Sequence, residues 1–220
     1  ATQFDTDQYD WALGKCLEIE EVIKEHKAIM DKKDPKGKIG LLVDEWGTWW
    51  DEEPGTIAGH LYQQNALRDA FVAALSLNVF HKYTDRVKMA NIAQVVNVLQ
   101  SMILTDQEGT GHMVLTPTYH VFQMYTPFQE ATYLPVDLQS ETVQCSTEYW
   151  KEKQKTSDNT TRPCPLLSAS AAKTKDGSIV LAITNVSLDK DQTVDFNFAG
   201  FNAKQVSGRI LTSKNVADYN

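Results

Sequence analysis

The stretch IGLLVDEWGTWW, residues 39–50, decides the interpretation of the fold. It begins with a continuous apolar run, 39–43, that is too short for a helix. Such a run is typical of a strand that is buried on both faces, as in a parallel sheet. The run stops at Asp44-Glu45, and an acidic loop with Pro54 and two glycines follows. The stretch therefore predicts a buried parallel strand that ends in two adjacent carboxylates.

The segments on either side predict alternating helices and strands. Apolar residues recur at three- and four-residue steps over 6–33, which predicts an amphipathic helix, and a second helix is predicted over 61–82. A strand is predicted over 86–93, a helical pattern over 95–102 and a further helix over 116–125. This alternation indicates an α/β domain with parallel strands.

Beyond residue 130 the pattern changes to short β-rich segments. Strands are predicted over 131–138, 166–173, 178–185 and 192–199, with a turn at Asp176-Gly177 and a polar surface loop over 146–165. An antiparallel sheet or sandwich is expected. The sequence thus predicts two domains, an α/β part over 1–130 and a β part over 131–220.

Composition excludes several functional classes. The chain of 220 residues has 21 basic and 29 acidic residues, a net charge of −8. Because no basic cluster dominates, a nucleic-acid surface is not expected. The uncharged, largely apolar stretch 89–105 is shorter than the ~20 apolar residues that cross a membrane. Its polar side chains need hydrogen-bond partners if buried, among them Asn91, Gln94, Asn97, Gln100 and Ser101.

No motif for a cofactor or metal is present in the sequence. Glycine-rich phosphate loops, the nucleophile elbow of serine hydrolases and paired Cys or His spacing are all missing. No cofactor and no metal are therefore expected. Of the three cysteines, Cys16 is predicted to lie in a helix core, while Cys145 and Cys164 are either thiols or, in an exported protein, a disulfide.

The carboxylates after the first strand are the strongest candidates for chemistry. Functional residues of parallel α/β proteins lie at the carboxyl ends of strands. Asp44 and Glu45 are expected to point in different directions, since side chains alternate along a strand. Trp46, Trp49 and Trp50 add flat apolar faces on which the C–H patches of sugars stack. Two interpretations remain: a carbohydrate site, or a solvated acidic loop with tryptophans packed in the core.

Amides after the second strand form a second candidate group. Asn91, Gln94 and Asn97 lie in an otherwise apolar segment, so each needs a hydrogen-bond partner. They either bond to backbone in the core or face a polyhydroxylated ligand.

Three long stretches closely resemble one enzyme family. They are VDEWGTWWDEEPGT (43–56), the segment from LYQQNALRDAF to LQSMILT (61–105) and MVLTPTYHVFQMY (113–125). They resemble the C-terminal half of family 51 glycoside hydrolases, the retaining α-L-arabinofuranosidases. The resemblance implies the C-terminal portion of a (β/α)₈ TIM barrel followed by part of a jelly-roll-like β-sandwich.

The resemblance also implies an activity and a set of site residues. Glu45 would be the nucleophile at the end of the seventh barrel strand, Trp49 would wall the sugar subsite, and Gln94 would hydrogen-bond the arabinose. The enzyme would release terminal α-L-arabinofuranosyl residues from arabinan, arabinoxylan or arabino-oligosaccharides. Two alternatives stay open: another retaining glycosidase acting on β-xylosides or β-glucans, and a non-catalytic carbohydrate-binding or assembly fragment.

One element of the family pattern is missing from these residues. The family's acid/base glutamate follows an asparagine on an earlier barrel strand, and no Asn-Glu pair occurs in the sequence. The chain is therefore expected to begin after that strand, and its end at Asp218-Tyr219-Asn220 is expected to fall short of the last sandwich strands. Truncated at both ends, it is expected to be inactive by itself, with the N-terminal half of the same enzyme as its partner. A homo-oligomer is also expected, and the location stays open.

Overall fold

The structure is a computed structural model that describes residues 2–106, 108–146 and 161–220, and it shows a mixed helix and sheet fold. The helices are α1 (Thr6–Lys33), α2 (Leu67–Lys82) and α3 (Pro117–Tyr125), with a 3₁₀ turn over Thr126–Phe128. The strands are β1 (Leu41–Trp46), β2 (Val87–Ile92), β3 (Ile103–Thr105), β4 (Met113–Leu115), β5 (Thr132–Leu134), β6 (Thr142–Ser146), β7 (Thr161–Pro165), β8 (Leu167–Lys173) and β9 (Ile179–Asn185).

The helices begin where side chains cap them. Asp5 accepts the backbone N–H of Gln8 while Gln8 accepts that of Asp5, and this capping box confirms the start of the first predicted helix. The second helix begins at Leu67, six residues later than predicted. Asp69 accepts the backbone N–H of Ala66 at 2.8 Å, and Leu61 has a φ of +56°, so the segment before the cap is not helical.

β1 and β2 pair in parallel, as the sequence predicts, and helices cover one of their faces. Trp46 pairs with Ile92 and packs edge-on against Phe80 of α2 and face-on against Phe122 of α3. The opposite face is not covered by the described residues. Leu42 and its pairing partner Met89 are 50% and 46% exposed, so the expected burial on both faces is wrong for this chain alone.

The helical pattern predicted over 95–102 is wrong. These residues form an irregular loop in which Asn97 and Leu99 have φ values of +58° and +52°, conformations that a right-handed helix excludes. The apolar residues of this segment are therefore loop residues. Its two amide side chains, Asn97 and Gln100, form hydrogen bonds with residues outside the segment. Asn97, for example, bonds both the N–H and the hydroxyl of Thr105 at 2.7 Å.

The β-rich part is antiparallel, as predicted, but two of its segments differ. β5, β8 and β9 form one sheet, and the turn before Gly177 (φ +88°) joins the last two strands. Residues 192–199 form no strand, which corrects that prediction. The loop predicted over 146–165 is wrong at both ends, because β6 pairs with β7 there; residues 147–160 lie outside the described part.

The β part packs directly on the long helices. Cys145 and Cys164 are buried thiols on the paired strands β6 and β7, within a cluster that includes Leu13 of α1. A Cβ at Gly14 would lie 2.6 Å from a backbone oxygen of β6, so the helix and the strand touch there. On α2, His81 bonds Ser170 at 2.8 Å, and burial lowers its pKa to about 4.

Candidate active site

Glu45 lies at the carboxyl end of β1, next to a β-bulge. Between the pairs Val43–Ala90 and Trp46–Ile92, β1 has one residue more than β2. The extra residue breaks the alternation on which the sequence prediction rested. Trp46 belongs to the core cluster and the half-buried Val43 packs against it, while Asp44 and Glu45 between them are both exposed. The bulge thus leaves two neighbouring carboxylates accessible at the strand end.

The three tryptophans near Glu45 have different roles. Trp46 is 7% exposed and belongs to the core. Trp50 donates its indole N–H to Asp69 at 2.8 Å and packs edge-on against Trp11. Trp49 is 68% exposed. The interpretation of packed tryptophans therefore holds for two of them, and of the three only Trp49 has a largely exposed ring.

Gln94 lies at the same edge of the sheet as Glu45. The backbone N–H of Ala93 donates to the carbonyl of Trp46 at 2.9 Å, which continues the β1–β2 ladder past Ile92. Gln94 follows directly, is exposed, and begins the irregular loop. Asn91 is exposed as well, whereas Asn97 uses its side chain to hold Thr105. Of the three amides, Asn97 is thus structural.

A buried polar cluster lies beneath these loops and was not predicted. Asp69 is 0% exposed and forms an ion pair with Arg68, which is 1% exposed. Asp69 also accepts the hydroxyl of Thr48 at 3.0 Å and the indole of Trp50. The Arg68 guanidinium lies 3.8 Å from the Trp50 ring centroid. Burial lowers the pKa of Arg68, and the charge of Asp69 opposes that shift.

Two buried glutamines complete the support of the loop after β1. Gln63 accepts the N–H of Trp50 and Gln100 accepts that of Thr48, both at 2.9 Å. Gln100 was noted in the sequence only as an amide that needs a partner. The sequence signal for this residue is a glutamine in an uncharged stretch, between Leu99 and Ser101. The neighbouring residues do not indicate which groups it bonds.

The described residues show neither a metal centre nor a membrane segment. Across 2–106, 108–146 and 161–220, no group of three or more His, Cys, Asp or Glu side chains is placed to hold a metal ion. No helix in the described part of the chain is both long and apolar enough to cross a bilayer.

Accessible carboxylates at the end of a parallel strand, beside an exposed indole, are typical of α/β proteins with their site at the strand ends. Comparison with known families agrees. The family model described as "Alpha-L-arabinofuranosidase C-terminal domain" matches residues 44–220. The chain belongs to this α-L-arabinofuranosidase family, as the sequence resemblance predicted.

Relatives with names and structures support the assignment. The chain is 58% identical over all its 220 residues to an "Intracellular exo-alpha-L-arabinofuranosidase" of Bacteroides ovatus. It is 32% identical over 109 residues, 44% of its length, to 22% of an "Intracellular exo-alpha-(1->5)-L-arabinofuranosidase" of Halalkalibacterium halodurans. The crystal structure of the GH51 arabinofuranosidase from Xanthomonas axonopodis pv. citri matches 86% of this chain at 46% identity, with a TM-score of 0.74. The Thermotoga maritima enzyme, solved as an arabinose complex, matches 86% of the chain at 21% identity and a TM-score of 0.61, a likeness of fold.

This chain spans only part of those proteins. It matches 40% of the length of the Bacteroides ovatus relative, 35% of the Xanthomonas chain and 37% of the Thermotoga chain. The activity of each whole relative therefore belongs to a chain at least about two and a half times as long as this one.

Proposed function

We propose that this chain contributes the nucleophile Glu45 to a retaining, exo-acting α-L-arabinofuranosidase. The observation that carries the proposal is the exposed Glu45 at the bulged end of β1, in a chain of the α-L-arabinofuranosidase family. Exposed Trp49 and Gln94 at the same edge support a sugar site there. The substrate is a terminal α-L-arabinofuranosyl residue of arabinan, arabinoxylan or an arabino-oligosaccharide.

The proposed reaction needs a second carboxyl group. Retaining glycosidases hold two carboxyl groups ~5–5.5 Å apart. Glu45 attacks the anomeric carbon as the bond to the leaving oxygen breaks, which forms a covalent glycosyl-enzyme. The second group protonates that oxygen and later activates the water that releases the sugar. We propose that a glutamate outside this chain fills this role, in the segment that the relatives have and this chain does not match.

The fold belongs to the same proposal. β1 and β2, with α1, α2 and α3 on one face, fit the C-terminal part of a (β/α)₈ barrel over residues 1–130, and the antiparallel strands fit part of a jelly-roll-like sandwich over 131–220. The half-exposed Leu42 and Met89 support it, because an apolar strand face needs further strands to cover it. In this arrangement the isolated 220 residues have no turnover.

Trapping of the covalent intermediate tests the proposal. The complete polypeptide that includes this chain is mixed with an aryl α-L-arabinofuranoside whose leaving group needs no acid, and quenched early. Mass spectrometry of the peptide with residues 44–46 should find one pentosyl unit on Glu45. Glu45→Gln should abolish the adduct, and Asp44→Asn, the matched neighbour, should retain it. If only an aryl β-xyloside forms an adduct, a retaining xylosidase is favoured instead. If no adduct forms and no aryl group is released, the non-catalytic carbohydrate-binding interpretation is favoured.

A further inference from the structure

Gln100 connects the two loops that carry the proposed site residues. Its side-chain oxygen accepts the backbone N–H of Thr48 at 2.9 Å, three residues after Glu45. Its own backbone N–H donates to the carbonyl of Ala93 at 3.1 Å, directly before Gln94. A single residue therefore bonds both the loop after β1 and the loop after β2.

The side chain of Gln100 is itself held in a fixed position. It is 0% exposed, and its amide nitrogen donates to the backbone oxygen of Asp69 at 2.6 Å and to the hydroxyl of Thr118 at 3.1 Å. Both amide hydrogens thus have an acceptor, on α2 and α3 respectively. A buried amide with its donors and acceptor satisfied has one orientation.

The loop after β1 approaches this amide closely. Gly47 has a φ of +135°, and a Cβ there would lie 3.1 Å from the side-chain oxygen of Gln100 and 3.3 Å from Ile92. Only glycine combines this backbone conformation with this approach. The loop therefore sits directly on Gln100 within two residues of Glu45.

We propose that Gln100 is a positioning residue that fixes the separation between Glu45 and Gln94. This inference rests on the proposed function, in which Glu45 attacks a sugar that Gln94 binds. Neither loop has regular secondary structure beyond the strand ends, so its position depends on such side-chain bonds. A displacement of about 1 Å in a reacting group costs about 10²-fold in rate.

A pair of matched variants tests the inference in the complete polypeptide. Gln100→Met keeps the size and removes the side-chain bonds. Its backbone bond to Ala93 remains, but the residue that makes this bond is no longer held against α2 and α3. Gln63→Met is the control, because Gln63 is also 0% exposed and also accepts a backbone N–H of the loop after β1, from Trp50 at 2.9 Å. The side-chain nitrogen of Gln63 has no hydrogen-bond partner among the described residues, so this control leaves the loop after β2 untouched.

Two measurements are made on each variant. Hydrogen exchange by mass spectrometry follows peptides covering 44–50 and 91–97. The kcat and KM for an aryl α-L-arabinofuranoside are measured per active site, titrated by the glycosyl-enzyme burst, so that unfolded protein does not count. Gln100→Met should lose protection in both peptides and about 10²-fold in kcat per site, with a smaller change in KM. Gln63→Met should lose protection in 44–50 alone and keep most of its kcat.

The outcomes separate this inference from the proposed function. Loss of protection in one peptide only, or an unchanged kcat per site, overturns the positioning role of Gln100. Where Gln100→Met does not fold, Thr118→Val, which removes one bond to the amide, should cause the same changes at smaller size; no change there overturns it too. If the wild type releases no arabinose while both peptides of Gln100→Met lose protection, the proposed function fails and the joint anchoring of the loops stands.

Discussion

The buried ion pair beneath the site gives the sharpest prediction about stability. Asp69→Asn keeps the shape of the side chain but removes its charge and one acceptor oxygen. It leaves the Arg68 guanidinium, 1% exposed, without a countercharge. It also replaces one acceptor oxygen by an amide NH₂ group, which faces other donors. Ala66, Trp50 and Thr48 all donate hydrogen bonds to this carboxylate.

The expected loss in the free energy of unfolding is about 3–4 kcal/mol. Removal of one partner of a buried ion pair costs about 3–5 kcal/mol. The lower part of this range applies, because the rings of Trp50 and Phe4 lie 3.8 and 4.2 Å from the Arg68 carbon and stabilise the cation in part. With a denaturant slope of about 2–3 kcal/mol/M, the urea midpoint falls by about 1–2 M.

Urea unfolding followed by tryptophan fluorescence measures this loss, with two further variants. Arg68→Met combined with Asp69→Asn should recover part of the stability, because no buried charge is then left unpaired. Glu130→Gln breaks the exposed pair with Lys175 and should change the free energy by less than about 1 kcal/mol. An Asp69→Asn loss no larger than that of Glu130→Gln, or a double variant weaker than the single one, would refute the reasoning.

Three further predictions concern the rest of the chain. In the complete polypeptide, Trp49→Ala should lower kcat/KM on an aryl arabinofuranoside about tenfold at unchanged Tm. Trp50→Phe should instead lower the free energy of unfolding by about 1–3 kcal/mol, because its indole hydrogen bond is lost. A loss of stability in Trp49→Ala with a loss of kcat/KM alone in Trp50→Phe would contradict these roles. Gly14→Ala should destabilise by about 1–3 kcal/mol in urea titrations, since its Cβ would lie 2.6 Å from a strand backbone oxygen, and Gly208→Ala, in open space, is the control. His81 has a lowered pKa in the fold, so its neutral form is stabilising; that stability is present above pH 6.5 and lost toward pH 4. His81→Gln should flatten this dependence by about 2 kcal/mol, after a reduction for partial exposure, and an unchanged pH profile of unfolding would contradict it.

Elements with a strong local signal were predicted well. The apolar spacing predicted α1, the short apolar run predicted β1, and the Asp176-Gly177 turn predicted the β8–β9 hairpin. These features depend on residues close in sequence. Predictions became wrong where long-range contacts decide, as over 95–102, whose helical spacing is overridden by the left-handed backbone at Asn97 and Leu99.

The site residues were found from sequence by a different route. The position of Glu45 after an apolar run indicated a strand-end carboxylate, and the family resemblance named Glu45, Trp49 and Gln94; their roles stay predictions. Composition by itself could not choose between an exposed and a packed tryptophan at 46, 49 and 50. The choice depends on Asp69 and Trp11, which lie 19 and 39 residues from Trp50 along the chain and touch it only in the fold.

The sequence by itself determined the family, the parallel strand pair and the carboxylate at its end, because apolar runs and family motifs are local patterns. Tertiary structure alone decided that a bulge exposes both Asp44 and Glu45, and that Gln100 joins the two loops of the site. The physical reason is that a buried amide must satisfy its hydrogen bonds with whatever groups the fold brings near it. No pattern in the neighbouring residues specifies that Thr48, Asp69 and Thr118 are those groups.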